Sequence, residues 1–121
     1  MLMVSACRQA SRAPAVPNVF DQEGEHKFNG DFFITVYKAD NLISGTVRRN
    51  GVDILAHHPR ASNYSTWFYY WDESSMKLWF YSGDVGTDLW QLEGNSLVEK
   101  KLDVAEAVSM VKKVKSLRSS R

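Results

Sequence analysis

Three histidines, one cysteine and the hydroxyl and carboxylate side chains around Ser82 are the groups in this 121-residue chain with chemistry to offer. The histidines are His26, His57 and His58. His57 and His58 adjoin, and neighbours on an extended segment point to opposite faces, so the pair cannot converge on one centre. A helix carrying H-E-x-x-H, which would put two imidazoles on zinc, is absent, as is the G-x-S-x-G turn that exposes a nucleophilic serine. Asp72 and Glu73 are neighbours in a turn, where carboxylates are commonly solvated. No catalytic set emerges, so a small hydrolase is the weakest functional reading. Its signature would be His57 or His58 beside a carboxylate in a pocket.

The stretch "LWFYSGDVGTDLW" (78–90) sets aromatic residues on both sides of Ser82-Gly83-Asp84-Val85-Gly86. Ser and Asp can bond their own backbone two residues on, and Gly supplies conformations that side chains forbid, so the run reads as a structural turn built by Ser82, Asp84 and Gly86. Ser82, Asp84, the Gly86 carbonyl, Asp88 and Glu93 could also gather oxygens for calcium. The acids are too few and the Gly is one place early for an EF-hand loop, so no metal and no cofactor is expected. The run resembles the start of an Asp-box, S-x-D-x-G-x-T-W, whose Ser and Asp hold a hairpin loop and whose Trp packs beneath it. Asp88 and Leu89 stand where that motif has Thr and Trp, and Trp90 comes one residue late, which places it on the opposite face of a strand. The resemblance implies a structural turn and no glycosidase activity.

Trp67, Tyr69 and Trp71 share one face of their segment, and Trp79 and Tyr81 share one face of the next. Exposed, these five rings would be candidate ligand-binding residues, a platform for sugar stacking as in carbohydrate-binding modules. Covered, they are core, and the rarity of large exposed apolar patches favours cover. Phe68, Leu78 and Phe80 have no polar atom to satisfy and are natural core residues.

Val4-Ser5-Ala6-Cys7 resembles a bacterial lipobox: a branched aliphatic residue and two small residues before the cysteine that receives lipid. Met1 to Met3 read as the tail of an apolar export segment, though no basic segment precedes them. "SRAPAVPN" after it is rich in small residues and Pro, as an extended tether would be. Cys7 is the only cysteine, so lipidation accounts for the odd thiol without a disulfide. The resemblance implies a signal peptide, attachment at Cys7 and a cell-envelope location. With Arg8 rather than Asp next, it leans to the outer membrane or a periplasm-facing anchor.

These groups need elements to hold them. The length fits one domain, and 12% aromatic residues supply ample area for a core. A net charge of +1 gives no global field for nucleic acid, and Arg48, Arg49 and the tail lysines do not interleave with aromatics. Charge is uneven: residues 100–121 hold seven Lys or Arg against Asp103 and Glu106. A basic helix of this kind is commonly solvated, with contact to acidic lipid or an acidic partner as the alternative. "DFFITVYKA" (31–39) reads as a strand apolar on both faces. Asn50-Gly51 marks a two-residue hairpin. "HHPRASNYS" (57–65), with Pro59, reads as a loop. Segments 66–71, 76–81 and 87–92, with a last one near 96–102, follow as strands at short spacing. From Asp103, with Glu106 at capping-box spacing, a helix begins whose Val104, Val108, Val111 and Val114 stripe should dock on the sheet.

The expected fold is therefore mainly β (α+β): an antiparallel meander sheet, or a small sandwich or barrel, with one C-terminal helix. Residues 1–26 are expected as truncated signal and tether, 27–117 as one β-rich domain, and 118–121 as a frayed tail. The expected function is a non-catalytic binding or structural module, lipid-anchored to a membrane of the cell envelope. A carbohydrate-binding module is the main alternative. Partners would be the membrane through the lipid, and an envelope glycan or protein, but not nucleic acid. Nothing in the residues bears on oligomeric state.

Overall fold

A computed structural model describes residues 16–119. Among the described residues nine strands precede one helix: β1 (Val19–Phe20), β2 (Gly24–Phe28), β3 (Phe32–Ala39), β4 (Leu42–Arg49), β5 (Val52–Ser62), β6 (Trp67–Asp72), β7 (Lys77–Ser82), β8 (Gly86–Glu93), β9 (Ser96–Glu99) and α1 (Val104–Ser119). They form two antiparallel sheets, ordered β1-β6-β7-β8-β9 and β2-β3-β4-β5. The mainly β, α+β expectation is met.

Alternation of side chains explains the layers. Phe32, Ile34 and Val36 point from β3 into the space between the sheets, where they meet Tyr69, Trp71, Leu78 and Phe80. Strands β6 and β7 are apolar on both faces because both are covered. Phe68, Tyr70, Trp79 and Leu89 form the outer face of the five-stranded sheet, and Met110 and Val114 of α1 pack on it. The molecule is thus helix on sheet on sheet.

Local chemistry sets the boundaries. Asn50 and Gly51 both have positive φ (53° and 77°), as a type I′ hairpin requires. The Asp103 carboxylate accepts the Ala105 N–H at 2.9 Å and so caps α1. Glu106, instead of completing a capping box, pairs with Lys77 Nζ at 2.9 Å and ties the helix to β7.

Three expectations need correction. Residues 57–65 are not a loop over most of their length: β5 runs through His57, His58 and Pro59 to Ser62. Pro59 is tolerated because β5 is an edge strand, so a missing donor leaves no partner unpaired. Residues 16–26 are not tether: Val16, Val19, Phe20 and His26 are buried, and β1 and β2 belong to the two sheets. The helix docks on the C-terminal half of the valine stripe and leaves its N-terminal half outside. Met110 and Val114 are buried, with Ala107 and Val111 beside them, whereas Val104 is 76% exposed and Val108 50%.

Candidate functional site

A polar arrangement between the two sheets is built on His57. This residue lies on the edge strand β5, opposite Gly45 of β4. Its ring points inward and is 8% exposed. Nδ1 lies 2.8 Å from Tyr69 Oη of β6, and Nε2 lies 2.8 Å from Asp88 Oδ2 of β8. The ring meets Phe80 and Trp90 edge-on at centroid distances of 4.8 and 4.6 Å. One imidazole therefore ties the edge of one sheet to two strands of the other.

Strand parity puts these groups together. Tyr69 pairs with Phe80, and Phe80 with Asp88, so all three side chains share the inner face of the five-stranded sheet. Gly45 makes room for the tyrosine. A Cβ at that position would lie 2.7 Å from Tyr69 Oη and 2.8 Å from Cζ, closer than real Cβ contacts come. A register irregularity in the β4–β5 pairing between Ile43 and Gly45 accompanies this approach.

The hydrogen-bond roles follow from what each group can do. A carboxylate only accepts, so Nε2–H donates to Asp88. Nδ1 is then the acceptor, and the Tyr69 hydroxyl donates to it. Burial, with the Asp88 charge adding to it, raises Tyr69 far above the ordinary phenol range, so the hydroxyl keeps its proton. Burial also lowers His57 below its ordinary 6.5, against the opposing pull of the Asp88 hydrogen bond and charge. Protonating Nδ1 would turn the Tyr69 O–H away from its acceptor inside a core where that residue is fully buried.

A His–Asp pair can serve as a general base when its second nitrogen faces substrate. Here that nitrogen is occupied by a buried hydroxyl, and His57 lines none of the three grooves described below. The arrangement is a satisfied internal bridge. The sequence reading missed it because His57 and Asp88 stand 31 residues apart. Two local signals point to it: a glycine inside a strand, at Gly45, and polar Asp88 on the same strand face as Trp90.

The other histidines are placed separately. His58 turns outward, its Nδ1 3.0 Å from Ser44 Oγ. His26 stacks on Phe20 and lies 2.9 Å from the Gln22 carbonyl through Nε2.

The turn at Ser82, Asp84 and Gly86 is held by side chains. Ser82 Oγ donates to Asp84 Oδ1 and accepts the Asp84 N–H at 3.2 Å. Asp84 Oδ2 accepts the Ser62 N–H at 3.0 Å, which fastens the end of β5 to the β7–β8 turn. These bonds hold the Asp84 carboxyl below its usual range. Gly86 has φ +100°, a conformation that side chains resist. The oxygens considered for calcium diverge: Asp84 serves Ser62, Asp88 serves His57, and Glu93 pairs with Lys100 at 2.8 Å. Among the described residues no cluster of three or more His, Cys, Asp or Glu could hold a metal ion.

The five candidate ring residues do not form a platform. Trp67, Tyr69 and Trp71 pair with Ser82, Phe80 and Leu78 and lie between the sheets. Trp79 and Tyr81 face the other way, toward α1. The four on β6 and at Trp79 are buried, and Tyr81 is partly covered by the helix. Cys7 lies outside the described residues.

Three surface grooves surround these elements. One of about 310 Å³ runs between α1 and the β7–β8 ladder. A second of about 240 Å³ lies on the other side of α1, over Tyr70 and Trp79. The third, about 280 Å³, lies at the β4–β5 turn, where Arg49 reaches Asn95 at 2.6 Å. No described helix is long and apolar enough to cross a membrane. No known family matches the chain, and neither the curated proteins nor the solved structures hold a significant match.

Proposed function

We propose that this protein is a lipid-anchored module of the cell envelope, attached through Cys7 and acting by binding or structural support rather than catalysis. The observation that carries the reading is the sole cysteine, preceded by Val4-Ser5-Ala6 and followed by a short Pro-containing run that leads to Val16, the first described residue, which is buried. The internal use of the chemically able side chains supports its non-catalytic half. His57, Tyr69 and Asp88 saturate one another, and Ser82 and Asp84 bond each other and the backbone. The large rings are spent on packing, so the carbohydrate platform has no observation in its favour.

Cys7 is the test. Placed in a bacterium behind the basic and apolar regions of an export signal, the chain should incorporate labelled palmitate and partition into detergent. Cys7→Ser should abolish both. Equal labelling of the two proteins, or none in either, overturns the anchor.

A further inference from the structure

The helix buries Met110 and Val114 and leaves Val104 and Val108 exposed, on a flank that no cluster among the described residues takes in. Val104, Val108, Val111, Lys112 and Lys115 fall at i, i+4, i+7, i+8 and i+11, so they lie along one side of α1. Val104 and Val108 are exposed, and Val111 is half-covered at the rim of the groove over Tyr81 and Thr87. Lys112 and Lys115 stand at the same rim. Neither lysine has an ion-pair partner among the described residues, although Lys115 lies over the Tyr81 ring. The helix holds one acid, Glu106, and that is turned to Lys77. The flank is therefore apolar and cationic together.

The route of the chain says what lies opposite. Val16 and Val19 are buried in the same layer as Met110 and Val114, so the chain enters the fold on the helix side of the five-stranded sheet. Cys7 precedes Val16 by nine residues. Fully extended, that is about 30 Å. A lipid on Cys7 would hold the helix layer within that distance of a bilayer, at a high effective concentration.

We infer that the Val104–Lys115 flank of α1 docks on an anionic bilayer surface, with the valines at the headgroup boundary and the lysines on acidic headgroups. The inference rests on the Cys7 anchor for orientation, but the surface itself is a property of the folded chain. Apolar contact plus cationic attraction is the chemistry by which helices lie on membranes. Each lysine near an acidic surface adds a modest, salt-sensitive increment, so the domain alone should bind weakly and the anchor should make it stable.

The test uses the full chain with Cys7→Ser, which removes the lipid and leaves the fold. Vesicles of phosphatidylcholine with about one-third phosphatidylglycerol should bind roughly tenfold or more tightly than pure phosphatidylcholine at low salt, with the difference shrinking as salt rises. K112E with K115E should abolish the preference. V104S with V108S should weaken binding roughly fivefold, and circular dichroism should be unchanged because both residues are exposed. Equal affinity for both vesicles overturns the proposal, as does a preference that survives both double variants. A concentration-dependent dimer broken by V104S with V108S, without vesicle binding, would assign the flank to a second copy instead. Should a variant fail to fold, the lipid and salt dependence of the Cys7→Ser chain alone decides. Palmitate labelling with no vesicle preference would retain the anchor and reject the docking face. The reverse result would reject the anchor alone.

Discussion

At His57 a single proton decides how many hydrogen bonds survive. The neutral ring donates to Asp88 and accepts from Tyr69, and both bonds are 2.8 Å long. The charged ring keeps the first and displaces the hydroxyl of the second. The folded-state pKa is lowered from 6.5, chiefly by burial. Between that lowered value and 6.5, the unfolded chain binds the proton and the native chain does not. Stability therefore rises with pH across this interval, by at most about 1.4 kcal/mol per pH unit, and is complete above 6.5. Urea titrations at a series of pH values should show the slope below 6.5. His57→Gln should remove it while lowering stability near neutral pH. A slope unchanged in His57→Gln would move the effect to other groups.

The helix shows at the element scale why a periodic pattern can mislead. Val104, Val108, Val111 and Val114 follow a helical stripe, but the sheet takes only its second half, Val111 and Val114, and adds Met110. Ion pairs lie at both ends of the docked helix: Glu106 to Lys77, and Arg118 to Asp21 at 3.4 Å. Val114→Ala should cost about 1.5–3 kcal/mol, from two lost methyl groups and the space they leave. Val108→Ala should stay within about 0.5 kcal/mol. Chemical denaturation of the two variants distinguishes the observed face from the whole stripe, because docking of all four valines would make the costs similar. The strands were legible wherever the code is local. Asn50-Gly51 announces its turn through positive φ, and the aromatic segments 66–71 and 76–81 announce buried strands. Strand β5 was hidden because Pro59 argues against a strand unless the strand is an edge, and edges are set by the whole sheet. Strand β2 was hidden because GEHKF is polar in composition, with only His26 and Phe28 buried. The Ser82–Asp84 turn was legible in its local bonds. Its reach to the Ser62 N–H was not, since that partner comes from the other sheet.

Across the whole molecule, the five-stranded sheet is covered twice, and this explains the use made of its rings. One face builds the core with the four-stranded sheet, and the other receives α1. A chain that spends Trp67, Tyr69, Trp71 and Trp79 on packing has little aromatic surface left for a ligand. His57 and Tyr69 are likewise turned inward, and Asp88 meets them at the seam where β5 meets β6 and β8. The helix lies on the side of the five-stranded sheet at which the described chain begins, and it leaves Val104 and Val108 exposed. These placements describe a body whose His57, Tyr69 and Asp88 saturate one another across the two sheets. The locked state of His57 is the claim on which that description turns, and ¹⁵N-detected NMR of the imidazole through a pH titration measures it directly. The account predicts a single neutral ring protonated on Nε2, with Nδ1 accepting and a midpoint below 6.5. A ring that exchanges freely between tautomers and titrates at or above 6.5 would contradict it, because Nδ1 would then be available to a substrate.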